Sequence, residues 1–266
     1  MTQRNILGGF VALFAAFPSA LAADCAREGL LAAAQSYLTA QSTGQLSAMK
    51  LSTSNFTYQQ NNKVREISTG LLSQSYKIDL NRSTADTVAC ASYTMWISTT
   101  GSKPYVVGTQ IRHNDNNTNE IALIDTIAAT TGDLFFDASK TLGYIKAEDW
   151  TTIPEAGRPS RDTLRKAGDA YLDMWTDAKA ADTIPWGTDC ERVEGSQLTR
   201  PCNGQLPRGG SSKKNGMRRY VIDETVGSVD VLCQFDSLGT MPDSHEIRIV
   251  NGKVKYVHTI TALRVG

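Results

Sequence analysis

Apolar side chains recur along this chain with two periods, one suited to helices and one to strands. Leu30, Leu31, Ala34, Tyr37 and Leu38 share one face at helical spacing. They predict a helix over residues 27–41, with Asp24 placed to cap it. Leu164, Ala167, Tyr171, Leu172 and Trp175 form a second stripe and predict a helix over 160–177. Ser160 is its N-cap and Asp162 lies near its positive end. After each helix the pattern changes to alternation. Strands are expected over Val88–Ser98, Tyr105–His113 and Glu120–Thr130, then over Tyr220–Asp223, Val229–Phe235, His245–Val250 and Lys253–Thr261. Asn251-Gly252 is a two-residue hairpin turn.

Short strings repeat along with the elements. Ala34-Gln35-Ser36-Tyr37-Leu38 returns as Gly168-Asp169-Ala170-Tyr171-Leu172 at an offset of 134. Gln110-Ile111-Arg112 returns as Glu246-Ile247-Arg248 at 136, and Asp125-Thr126-Ile127 as His258-Thr259-Ile260 at 133. Three matches in one order at nearly one offset predict a diverged tandem duplication. Its halves are 23–153 and 154–266, with the boundary near Ile153 to Pro159. Each half is then α+β, a curved antiparallel sheet wrapped on an amphipathic helix, in the order of an NTF2-like cone. The space between helix and sheet is the place for a ligand.

Met1–Ala22 reads as a cleavable secretion signal. Arg4 supplies the positive start, Ile6 to Phe17 the apolar run, and Ala20-Leu21-Ala22 the small-x-small cleavage pattern. The run of 12 residues is too short to span a bilayer. The expected location is therefore the secretory pathway or the extracellular space, with the mature chain starting near Ala23. Asn55, Asn81 and Asn116 open glycan acceptor triplets. The five cysteines all follow the signal and no C-x-x-C occurs, which suits structural disulfides. Of the three pairings open to four of them, Cys25–Cys90 with Cys190–Cys202 keeps each bridge within one half. Cys233 is then a buried free thiol.

Without Arg4, 26 basic residues face 27 acidic ones, so nothing in the charge recommends nucleic acid or an anionic membrane as partner. Pro201 to Gly216, rich in Gly, Ser, Lys and Arg, reads as a mobile surface loop. No G-x-S-x-G, P-loop, H-E-x-x-H or G-x-G-x-x-G is present, and His113, His245 and His258 lack metal-ligand spacing. No metal, nucleotide or redox cofactor is expected. The remaining candidates are polar strand residues. His258 and Asp125 hold the same repeat position and are the catalytic candidates, against the plainer role of bonding across the sheet. Arg112 and Arg248 are candidate clamps for an anionic or enol oxygen, against ordinary surface arginines. Trp96, Trp186 and Trp150 offer stacking surfaces, against core filling. His245, also a candidate substrate contact, points to the opposite face from Glu246.

Several strings go further: Ile78-Asp79-Leu80-Asn81-Arg82-Ser83, Gly108-Thr109-Gln110, Ile124-Asp125-Thr126, Glu148-Asp149-Trp150, Pro185-Trp186-Gly187 and Pro242-Asp243-Ser244-His245-Glu246. With Ala167 to Leu172, they make the mature chain resemble the secreted fungal DUF8021-type family. That resemblance extends to hetero-Diels–Alderases of tropolone–sesquiterpenoid biosynthesis, of the eupenifeldin, pycnidione and xenovulene kind. It implies an enzyme that joins a tropolone quinone methide to a humulene-type terpene, with an apolar small-molecule substrate and no cofactor. A cycloaddition needs a dry pocket that aligns two partners, and donors for the oxygens where charge builds. The alternative is a secreted binding or effector protein without turnover. The sequence leaves the oligomeric state open.

Overall fold

The computed structural model describes residues 25–101, 103–114 and 117–263. The predicted signal Met1–Ala22, the Asp24 cap and the Asn116 acceptor lie outside the described residues.

Two helices match the apolar stripes. Helix α1 (Arg27–Thr43) ends on Gly44, whose φ of 71° returns its N–H to the Ala40 carbonyl. Helix α3 (Arg161–Asp173) starts at Ser160, whose side chain accepts from the Thr163 N–H. It stops short of the expected 177, because the Thr176 and Asp177 N–H groups both turn back to the Asp173 carbonyl. A third helix, α2 (Ala138–Ile145), capped by Asp137, has no counterpart in the sequence reading.

The strands fall into two six-stranded sheets. The first holds β1 (Thr57–Gln60), β2 (Lys63–Val64), β3 (Leu80–Asp86), β4 (Ala91–Ser98), β5 (Tyr105–Asn114) and β6 (Asn117–Thr130). Their order is β2-β1-β6-β5-β4-β3. The second holds β7 (Trp186–Glu194), β8 (Gln197–Thr199), β9 (Gly216–Asp223), β10 (Ser228–Phe235), β11 (Met241–Val250) and β12 (Lys253–Thr261). Their order, β8-β7-β12-β11-β10-β9, is the same when each strand is matched to the one six places earlier. Both sheets are mixed rather than wholly antiparallel, because β1 pairs with β6, and β7 with β12, in parallel.

Register matches too. Gln110 faces Asp125 across β5–β6, and Glu246 faces His258 across β11–β12. The Asn251-Gly252 turn between β11 and β12 has φ values of 51° and 71°, the positive pair a two-residue hairpin needs. Strand β4 starts at Ala91 instead of Val88, because Asp86 Oδ1 accepts from the Val88 and Ala89 N–H groups and holds a turn there.

The layers stack as α1, first sheet, second sheet, α3. Tyr37 and Leu38 of α1 bury against Trp96, Val107, Ile111 and Ile124. Tyr171 and Leu172 of α3 bury against Val229, Val231, Ile247 and Val257. Between the sheets lies a third apolar cluster, with Tyr93, Met95 and Ile97 against Val221, Leu232 and Ile260, to which α2 adds Ala138 and Ile145. Each sheet therefore has a helix-covered face and an inner face. Disulfides join Cys25 to Cys90 and Cys190 to Cys202, and Cys233 is free and buried. The segment read as a mobile loop is tied down in part, because Arg192 donates to the Cys202 and Gly204 carbonyls and Asn215 to that of Leu172. No helix among the described residues is long and apolar enough to cross a membrane.

Candidate functional site

Strand alternation puts every second residue of β5, β6, β11 and β12 on the inner face, and the polar ones are tied across the two sheets. Arg82 of β3 reaches over to Glu246 of β11 and lies 3.4 Å from His258 Nδ1. His258 is held at both nitrogens, Nδ1 3.1 Å from Glu246 and Nε2 2.8 Å from Glu148. Trp150 donates to Glu148 at 2.8 Å, and the Arg82 guanidinium covers its ring at 3.4 Å. Arg248 lies on the same ring at 4.9 Å and donates to the Asp149 and Thr151 carbonyls.

The mirror arrangement uses Arg219 of β9. It donates to Asp125 of β6 at 2.7 Å and to Asn62 at 2.8 Å. Beside it Gln110 donates to Asp230, and Arg112 donates to Gln110 and to the Tyr220 carbonyl. At the sheet ends Arg161 of α3 grips Asp86 of β3 with two bonds of 2.7 and 2.8 Å, while Arg27 of α1 grips Asp223 of β9 at 2.5 Å. These contacts are reciprocal, as in an isologous interface folded into one chain.

Charge follows geometry. Burial opposes an imidazolium at His258, but the Glu148 charge and the bonds from Glu148 and Glu246 outweigh it and raise the pKa to about 9. Burial likewise opposes the Glu246 carboxylate, yet Arg82 and His258 hold its pKa below the usual value. His258, Arg82, Glu148 and Glu246 thus form a neutral quartet, almost wholly buried. Asp230 differs: burial pushes its pKa well up, and the groups that donate to it, Gln110 and Ser244, are neutral.

The helix-covered face of the second half carries a different constellation. The His245 ring sits 5.2 Å from Tyr171, 5.5 Å from Phe235 and 6.4 Å from Trp175. Its Nδ1 is 3.7 Å from Asp243 Oδ1 and 3.9 Å from Cys233 Sγ. Burial, helped by the Arg218 charge, lowers its pKa to about 3, so the imidazole is neutral. Tyr171 donates to Glu194, which Arg192 holds at 3.2 Å. A cleft of about 500 Å³ lined by Trp175, Gly209 to Lys213 and Asp236 to Gly239 opens beside this aromatic box.

The candidates from the sequence therefore divide between two faces. His258, Asp125, Arg112 and Arg248 lie on the inner face instead of lining a helix-covered pocket, because Val257, Ile124, Ile111 and Ile247 occupy the pocket side. His258 and Arg248 meet at Trp150, and Asp125 and Arg112 belong to the Arg219 group. Trp96 lies on the helix-covered face of the first half, its Nε1 donating to Tyr37. Trp186 and His245 lie on that of the second, where Trp186 donates to the Ala181 carbonyl. Asn55 and Asn81 are both exposed. Arg82, Glu148 and Asp243 lie in strings that carry the family resemblance, yet neither they nor Arg219 have a local signal that marks them as site residues. Extending the repeat to an offset of 137 finds Arg82 with Arg219 and Asp86 with Asp223.

Among the described residues no group of three or more His, Cys, Asp and Glu side chains is placed to hold a metal ion. Residues 157–261 match the model of a family described as a domain of unknown function, DUF8021. The match runs from just before α3 to the end of β12, so it takes in the whole second sheet and the aromatic box. No curated protein matches the chain.

Proposed function

We propose that the chain is a secreted, cofactor-free cyclase built from two NTF2-like cones, 23–153 and 154–266, and that the second cone is the working one. The reaction follows from the family resemblance: a hetero-Diels–Alder closure between a tropolone quinone methide and a humulene-type sesquiterpene. The observation that carries the reading is the box of Tyr171, Trp175 and Phe235 around a neutral imidazole beside an open cleft. Aromatic walls exclude water and align two apolar partners. A neutral His245 gives a hydrogen bond without placing a charge in an apolar pocket. Two disulfides suit the oxidising pathway that the signal implies.

Co-expression with a pathway that supplies both partners, followed by product profiling, tests this. The dihydropyran adduct forms with the parental chain, and His245→Ala lowers its rate on the order of 10²-fold, the usual loss of one oxyanion donor. His258→Ala and Asp125→Asn are companion arms. A comparable loss in either, with folding intact, moves the donor to the inner face. Equal adduct with and without the protein removes the cyclase reading, and saturable ligand binding in that case supports the non-catalytic alternative.

A further inference from the structure

We propose that Asp243 is the contact for a ligand oxygen in the second cone, and that the ligand carries a carbonyl or enol oxygen bridging Asp243 and His245; this rests on the second cone being the working site.

The first argument is the comparison of the halves. Trp96 faces Val107 across β4–β5, and the matching pair across β10–β11 is Cys233 and Asp243. In the first half the indole is fully buried, bonded to Tyr37 and packed on Tyr76, so its bulk occupies the space under the helix. The second half has a thiol where the indole stands and a carboxyl where the valine stands. The position of Thr109, which bonds to Tyr37 at 2.8 Å, is taken by His245. One cone is plugged, and the other is furnished with polar atoms.

The second argument is an unmet hydrogen bond. Asp243 is 1% exposed; its Oδ2 accepts from Thr261 Oγ1 at 3.0 Å, and the Ser244 backbone N–H also favours the carboxylate. Oδ1 is buried and meets no hydrogen-bond donor within bonding distance among the described residues. Such an atom destabilises a fold, and its persistence calls for an explanation. At 3.7 Å His245 Nδ1 is too far to bond with Oδ1. A third oxygen brought against both would serve Oδ1 and take the place of the 3.9 Å contact that Nδ1 makes with Cys233 Sγ. Trp175 lines the open cleft and packs on Phe235 and His245, so its ring is the partition between cleft and box.

Protonation agrees with this role. Burial, reinforced by the Glu194 and Asp230 charges, raises the Asp243 pKa well above the carboxylate range. Burial therefore favours the neutral carboxyl, the form that can donate a hydrogen bond. A charged carboxylate would instead repel an enolate oxygen.

Free tropolone, with its adjacent carbonyl and enol, is the probe. Titration into the full secreted chain, followed by tryptophan fluorescence and calorimetry, gives saturable binding. Asp243→Leu, which has no donor, weakens it about tenfold or more. Asp243→Asn, which keeps an N–H, stays within a few-fold of the parent. Asp243→Leu leaves the buried Thr261 hydroxyl without its acceptor, so circular dichroism checks its fold, and Asp243→Asn, which keeps an acceptor for Thr261, separates the ligand contact from a folding defect. Cys233→Leu, which narrows the box without a full indole, weakens binding as well. Parental binding by Asp243→Leu overturns the inference. So does an Asp243→Asn loss as large as that of Asp243→Leu, which would make the group an acceptor, and so does a parent that fails to bind tropolone. Binding through Asp243 without cyclisation sinks the cyclase reading alone. Cyclisation by Asp243→Leu at the parental rate sinks this inference alone.

Discussion

Asp86→Ala lowers the stability of the chain by about 3–5 kcal/mol, the range for removing one partner of a buried ion pair. The carboxylate is fully buried and serves four groups in two halves. It takes both arms of Arg161, the Ile222 N–H of β9 and the Val88 and Ala89 N–H groups of its own turn. Alanine leaves those donors facing an apolar methyl. Asp223→Ala, which frees Arg27, Thr225 N–H and Ala85 N–H, has a similar effect. Urea midpoints at constant slope measure both. A loss under about 1 kcal/mol in Asp86→Ala, against the 3–5 kcal/mol of a buried pair, would mean that water replaces the carboxylate and that the halves are not held at this point.

Stability that depends on His258 is present in mild acid and disappears in base. Its folded pKa of about 9 exceeds the ordinary 6.5, so the folded chain holds the proton more tightly than the unfolded one. The contribution is fully present below pH 6.5 and is lost as pH rises through 9. Its size is on the order of 3 kcal/mol, from 1.36 kcal/mol per pKa unit. Glu246 has the opposite sense. Its pKa is lowered, so its share is present above the ordinary 4.5 and fades as pH falls. His245, lowered to about 3, also disfavours the fold as pH drops below 6.5. Denaturation at pH 6.5 and 9.5 therefore gives a larger drop in the parent than in His258→Gln. An NMR titration of the His258 ring supplies the direct check: a midpoint below 7 removes the quartet as a source of stability.

Helices α1 and α3, the β11–β12 hairpin and the Cys190–Cys202 bridge were legible because each has a local signal. The stripe through Tyr171, the Asn251-Gly252 turn and the spacing of Cys190 and Cys202 need no knowledge of the distant chain. Strands β3 and β7 were not legible. Leu80–Asp86 and Trp186–Glu194 carry Arg82, Asp86, Arg192 and Glu194 at sheltered positions, so the apolar alternation that marks a half-buried strand is missing. The sequence supplies candidate residue types but not the face that each one takes. His258 and Asp125 follow Val257 and Ile124, and alternation alone says that one of each pair faces the helix. Which one does so depends on a second sheet lying behind the first. Arg219 brings Asp125 its countercharge from the other sheet, and Arg82 brings that of Glu246 beside His258, and no window of sequence contains both sides of such a bond. Asp243 went unnoticed because its significance lies in its contrast with Val107, which appears only when the two registers are compared.

The reciprocal grips have a consequence for assembly. Arg27 of one half holds Asp223 of the other, and Arg161 holds Asp86, so each bond is equally available from a neighbouring molecule. A first half from one chain and a second half from another would meet with the same geometry. What selects the self-contained form is proximity: residues 146–160 join α2 to α3 and act as a tether, setting a local concentration on the order of millimolar. Well below that concentration each chain closes on itself. Shortening the tether until it cannot reach would turn the same contacts into a domain-swapped dimer.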